Sequence, residues 1–347
     1  MTRKIPSAVA SGWRRSIDIV RHAIASRPLP PLTPHTMACL SASFASATSA
    51  RSLGVRRARA SAPRAASRAR VVSVRAGVEQ FKGEGGLDAV KLTSSDGCEA
   101  TAYLFGGVVT SFKNTKGREV LYVRPDAVFD KSKPISGGLP HCWPQFGPGD
   151  LQVHGFARNV DWELESVFDD DEDIPMIVMS LTPSDYTRAM WDKNFKVTQT
   201  ISLMPGGTLC ANLNVENLGD EPFDFTASFH TYFAANIDEV VVEGLDGCKT
   251  LDRLADEPGV VSGDLKITGP VDSVYYDVPT NITLAVGDGE EVKIGAADGW
   301  KDAVVWSPWT DMACYKEFVC VENAACAEPV VVPAGGEWDA STFIRAR

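Results

Sequence analysis

From Val78 onward, apolar and polar residues alternate in runs of five to nine, and clusters of turn-forming residues separate the runs. Gly83–Gly86, Ser95–Gly97, Gly106–Gly107, Pro205–Gly207, Asn217–Pro222 and Gly287–Gly289 are such breaks. Alternation places successive side chains on opposite faces of a strand, and many short strands at this spacing predict a sandwich or barrel. No helical period is sustained beyond about two turns. In Leu209–Val215 the odd positions are Leu209, Ala211, Leu213 and Val215, which makes that face the core face. In Phe223–His230 the odd positions Phe223, Phe225, Ala227 and Phe229 are apolar. The pattern therefore puts His230 off the core, on a face shared with Thr226 and Ser228. Phe318, Cys320 and Glu322 likewise share one strand face, after an apolar run and a strand containing Trp306 and Trp309. The acidic stretch Asp169–Asp173 with Ile174 and Pro175 reads as a solvated hairpin loop.

One segment breaks the alternation. Pro134–Trp162 reads PISGGLPHCWPQFGPGDLQVHGFARNVDW, with prolines that exclude regular helix and glycines that favour an ordered loop. Histidine is scarce: the chain has five, and only His141, His154 and His230 lie beyond the first 76 residues. Two of those three sit in this loop, which closes on Arg158.

Charge divides the chain at the same place as the pattern. Residues 1–76 hold fourteen Lys and Arg against one acid, Asp18, and are rich in Ala and Ser; the remainder holds 20 basic and 44 acidic residues. A basic, acid-poor, Ser/Ala-rich leader is the composition of an organelle transit peptide, here expected to be disordered and to direct the chain to the chloroplast stroma, with the mitochondrion as the alternative. Val71–Ala76 marks a cleavage region, and Met37 offers an alternative start. A basic tail for nucleic acid or acidic lipid is the competing reading. Residues 77–347 are expected to form one β domain whose net negative charge argues against nucleic-acid or anionic-membrane partners. No run of about 18 apolar residues occurs. Beyond residue 76, seven scattered cysteines without a CxxC pair indicate free thiols rather than a disulfide framework or a zinc site.

A histidine and a carboxylate facing one cleft can move two protons together. That is what opening a cyclic hemiacetal requires: a base takes the anomeric hydroxyl proton while an acid protonates the ring oxygen. Burial beside Phe318 and Cys320 would raise the proton affinity of Glu322, as a base needs; a strand-end Glu paired with an Arg is the alternative.

The motifs SGGLPHCWPQFGPG, HGFARN, SFHTYF, VVWSPW and FVCVEN, in this order, resemble the glucose-6-phosphate 1-epimerase branch of the aldose 1-epimerase (mutarotase) family, over essentially all of Val78–Arg347. The resemblance implies an all-β fold, a large antiparallel β-sandwich with a concave sugar-binding cleft. It also implies interconversion of the α and β anomers of glucose 6-phosphate or a related hexose phosphate, without cofactor or metal and as a monomer. By the same resemblance His230 is the general acid and Glu322 the general base. Arg158 and Asp272 bind substrate, and His154 lines the pocket. Two further substrate-binding positions depart from the branch: Ser136 stands where many members carry Arg, and Val153 where many carry Gln. Arg binds phosphate through a two-pronged donor fork that Ser cannot supply, so Arg124, Lys131 and Lys133 become candidate second cations. The competing functions are the same chemistry on a free aldose, a non-catalytic carbohydrate-binding protein of the same fold, and a polysaccharide hydrolase or lyase on a similar sandwich. Glu322 lacks the acidic partner the last would need. Of the three tryptophans Trp143, Trp306 and Trp309, one is expected to face the cleft. His141 reads as a structural, hydrogen-bonded histidine.

Overall fold

The structure is a computed structural model that describes residues 76–169, 174–204 and 206–346. The expected leader, apart from Ala76, lies outside the described residues. So do Pro205 and residues 170–173 of the acidic loop.

The alternation becomes antiparallel sheet. Gly77–Lys82, Asp88–Thr93, Glu99–Tyr103 and Val108–Lys113 form a four-stranded meander. A nine-stranded sheet contains the hairpin of Phe195–Met204 and Thr208–Asn217, in register from Phe195 opposite Asn217 to Met204 opposite Thr208. The strands on either side of the acidic loop, Glu163–Phe168 and Met176–Leu181, also pair antiparallel, as a hairpin requires. An eight-stranded sheet runs in the order Glu257–Val260, Lys249–Asp252, Val271–Tyr276, Asp302–Ser307, Phe318–Val332, Phe223–Phe229 and His141–Cys142. Tyr232–Ala234 pairs beside it on Phe318–Val332. The only α-helix among the described residues is Asp185–Met190, six residues capped by Ser184 in a reciprocal capping box with Thr187. No described helix is long and apolar enough to cross a membrane.

The eight- and nine-stranded sheets share one core. Leu209, Ala211, Leu213 and Val215 from one meet Phe223, Phe225, Ala227 and Phe229 from the other. Val319, Val321, Ala303 and Val305 join them. The period of two then dictates what lies on the opposite face: Cys320 and Glu322, Val304 and Trp306, and, beyond a bulge between Phe225 and Ala227, Ser228 and His230. Trp309 departs from expectation. Pro308 interrupts the strand, and Trp309 begins a short 3-10 turn at φ 50°, packed on Tyr315.

The paired glycines before Leu139 have a backbone role. At Gly138, φ is 74°, and a Cβ there would lie 2.2 Å from the Val109 carbonyl oxygen. Only glycine lets three chain segments pass this closely in that conformation. The contact carries the eight-stranded sheet towards the four-stranded one: Leu121 bridges Phe233, Val123 bridges Gly137 and Leu139 bridges Val109.

Candidate active site

Ser228, His230 and Glu322 come from neighbouring strands and meet on the face away from the core. Ser228 Oγ donates to Glu322 Oε2 at 2.7 Å. Glu322 Oε1 lies 3.2 Å from His230 Nδ1, out of line for a good hydrogen bond, so both atoms are buried without one. Glu322 is 1% and His230 8% exposed, which decides their protonation. Burial disfavours each charged form. It pushes the Glu322 carboxyl up to about 8, against the lowering effects of Ser228, Arg253 and Arg158. It pushes the His230 imidazole well below its ordinary value, and the charges of Arg158 and Arg253 add to this. At neutral pH the free pair therefore holds one dissociable proton, on the carboxyl.

The 134–162 loop supplies a second wall. His154 takes a left-handed conformation, φ 66°, sparsely populated outside glycine. Two contacts fix it: its backbone N–H donates to the Gly147 carbonyl at 3.0 Å, and its Nδ1 accepts from the Gly147 N–H at 3.1 Å. The Cys142 thiol lies 3.0 Å from the same nitrogen. With Nδ1 accepting, Nε2 carries the proton. Burial, with Arg158 and Arg253 nearby, pushes the imidazole down to about 3, so His154 stays neutral. Its ring centroid is 5.4 Å from that of His230.

Arg158 follows in the 3-10 turn Ala157–Asn159. Its Nη2 donates to the Val153 carbonyl at 3.0 Å, while Nε is buried without a partner among the described residues. Asp272 lies on the far side of Glu322, opposite Trp306, which is itself opposite Cys320. Burial raises the Asp272 carboxyl although Arg253 opposes this.

The structure thus gathers His230, Glu322, Arg158, Asp272 and His154 around one cleft. Trp306 is the tryptophan that faces it, edge-on to His230 at 5.6 Å, whereas Trp143 is fully buried in the core. Tyr232 stacks on His230 at 4.9 Å. Val153 is 54% exposed and meets the cluster through its carbonyl. Ser136 stands apart, its carbonyl taking the Arg124 N–H at 3.0 Å. His141 is structural as expected: it is fully buried, bonded through Nε2 to Gln199 Oε1 at 3.0 Å and stacked on Trp162. All seven described cysteines are free thiols. Among the described residues no cluster of three His, Cys, Asp or Glu could hold a metal.

The sequence reading missed Arg253. It lies 3.4 Å from Asp272 Oδ1 and 5.3 Å above the Phe146 ring, and it acts electrostatically on Glu322, His230 and His154. Nothing in the TLDRLAD context marks it, because a turn only brings it to Asp272 through sheet pairing. Its backbone N–H donates to the Asp272 carbonyl.

Residues 88–345 match the family model of aldose 1-epimerase. A candidate glucose-6-phosphate 1-epimerase of Cenchrus ciliaris is 35% identical over 282 residues, 75% of this chain and 85% of that protein. One from Escherichia coli is 32% identical over 66% of this chain and 81% of its own. The crystal structure of a candidate mutarotase from Salmonella typhimurium superposes with a TM-score of 0.70 at 25% identity, over 78% of this chain and 94% of that one. A galactose mutarotase-like protein of Clostridium acetobutylicum shares the fold at 16% identity, with a TM-score of 0.64 over 79% of this chain and 99% of its own.

Proposed function

The chain belongs to the aldose 1-epimerase family, and from that premise we propose that it interconverts the α and β anomers of glucose 6-phosphate, with His230 and Glu322 moving the protons. The observation that carries the reading is the 3.2 Å contact between a buried imidazole and a buried carboxyl holding one proton between them. Transfer of that proton from Glu322 to His230 gives carboxylate and imidazolium, the pair that the reaction consumes. The carboxylate takes the proton of the anomeric hydroxyl as the C1–O1 bond becomes a carbonyl. The C1–O5 bond breaks, and its electron pair takes a proton from the imidazolium. The site is then neutral again, with the open-chain aldehyde bound. A half-turn about C1–C2 presents the other carbonyl face, and the steps reverse to close the other anomer. Asp272, Arg158 and the Nε2–H of His154 hold hydroxyls, and Trp306 offers a flat apolar wall. A phosphate dianion on the His230 side would favour the imidazolium by simple attraction, which links the phosphorylated substrate to the chemistry.

The test is anomer exchange followed by NMR, comparing glucose 6-phosphate with glucose. A kcat/KM at least tenfold higher for the phosphate is expected. Equal or greater efficiency on glucose would favour the free-aldose reading, for which the uncharged Ser136 is the motivating observation.

We also propose that residues 1–76 direct the protein to the plastid, on the strength of their composition. Fused to a fluorescent reporter, this segment should carry it into chloroplasts; a cytosolic or mitochondrial reporter would overturn the assignment.

A further inference from the structure

The sugar's own connectivity says where its phosphate must lie. The proton donor serves the ring oxygen, and C6 hangs from C5, the carbon bonded to that oxygen. The phosphate therefore projects past His230 on the side away from Glu322. On that side lies Tyr232, stacked on His230. The next segment of chain is 121–124, joined to it by the Tyr122 N–H on the Tyr232 carbonyl at 3.0 Å. Leu121 and Phe233 point into the core. By alternation Tyr122 and then Arg124 lie on the cleft face with Tyr232.

Arg124 is also the cross-strand neighbour of Ser136. Val123 bridges Gly137, and the Arg124 N–H bonds the Ser136 carbonyl. Residues 124 and 136 thus oppose each other and share a face, with their Cβ atoms about 5 Å apart as in any antiparallel pair. We propose that Arg124 supplies the cation that Ser136 lacks, and with Arg158 forms the phosphate-binding arm of the cleft. The inference rests on the epimerase reading above.

Three observations support it. The Arg124 side chain is only 18% exposed, so its charge is held in place. Asp126 fixes it from one side, taking Nε at 2.9 Å and Nη2 at 2.6 Å, which leaves the two protons of Nη1 for a ligand. Burial pushes the Tyr232 hydroxyl up while the charges of Arg124 and Arg158 both oppose this, so the two guanidinium groups act electrostatically on the same residue beside His230. The other cations fit less well. Lys131 is tied to Asp161 at 2.7 Å with its side chain 45% exposed, and Lys133 is exposed. Arg253 stands on the opposite flank, beside Asp272.

The readout is the selectivity ratio, kcat/KM for glucose 6-phosphate divided by kcat/KM for glucose. The parent ratio tests the epimerase reading; the change in ratio tests Arg124. Arg124→Gln should lower the ratio at least tenfold, mainly through KM for the phosphate. The exchanged variant Arg124→Ser with Ser136→Arg should recover most of the loss, since the guanidinium returns on the same face. A parent that favours the phosphate while Arg124→Gln keeps its ratio within twofold overturns the proposal and leaves the epimerase reading standing. A tenfold fall in Arg253→Gln with none in Arg124→Gln places the phosphate on the other flank and overturns it too. Arg124→Lys, which keeps charge without the fork, serves as the control should the glutamine variant fold poorly; an intermediate ratio is expected, and a parental one would contradict the need for the fork.

Discussion

Glu322→Gln is expected to abolish nearly all catalysed anomer exchange, by about 10²–10⁴-fold in kcat/KM, while making the protein more stable at alkaline pH. Both effects have one cause. The proposed base must act as an ionised carboxylate in a fully buried place. The folded protein holds its proton up to about pH 8, whereas an unburied glutamate carboxyl releases it near 4.5. A carboxyl whose folded value is raised contributes stability in full below the unfolded value, and loses it as pH rises through the folded one. The parent should thus lose stability progressively from about pH 4.5 to about pH 8. Glutamine, neutral throughout and able to accept the Ser228 hydroxyl, escapes that loss. Melting temperatures of parent and variant should nearly coincide at pH 5, with the variant higher by several degrees at pH 9, at roughly 2–4 °C per kcal/mol for a domain of this size. A variant that exchanges anomers at the parental rate would remove Glu322 from the mechanism. Equal melting temperatures at pH 9 would contradict the raised carboxyl.

His230→Ala should remove catalysis to a similar extent, again about 10²–10⁴-fold, because the proposed mechanism assigns protonation of the ring oxygen to His230. The double variant with Glu322→Gln should be little worse than either single one. The pair transfers one shared proton, and residues acting as a unit show strongly non-additive effects. Near-UV circular dichroism separates loss of chemistry from loss of structure. The ring stacks on Tyr232 and meets Trp306 edge-on, so local signals will shift while the cooperative melt should persist. Independent, multiplying effects of the two substitutions would show that His230 and Glu322 do not work as a pair. The shared proton also sets the pH profile of the parent. The active form carries one proton, so kcat/KM should fall above about pH 8, where the last proton leaves. It should also fall in acid, where a second proton binds the imidazole.

Much of this was readable in the chain. Alternation in Leu209–Val215 and Phe223–His230 assigned the core faces correctly, because side-chain direction in a strand depends only on the strand itself. Motif order identified the family and picked out His230, Glu322, Arg158, Asp272 and His154, which meet at one cleft. Local pattern failed where a boundary or a partner decided the outcome. Trp309 looked like a strand residue until Pro308 ended the strand. The short helix Asp185–Met190 depends on a Ser184–Thr187 cap that is too brief to show a period.

The sequence by itself determined the all-β class, the core faces and the family, and nominated His230 and Glu322 as the proposed proton-transfer pair, since these follow from period-two patterning and from motifs of residue types at fixed local positions. Only the tertiary structure decided what surrounds that pair. Ser228 and Glu322 are 94 residues apart in the chain, and strand register alone brings them within hydrogen-bonding distance. Their burial, and so the proton left on Glu322, follows from sheet packing. Arg253 reaches Asp272, and Arg124 comes to lie beside Ser136, because neighbouring strands pair. Charge–charge effects act through space, and in this fold the distances that matter are set between strands rather than along them.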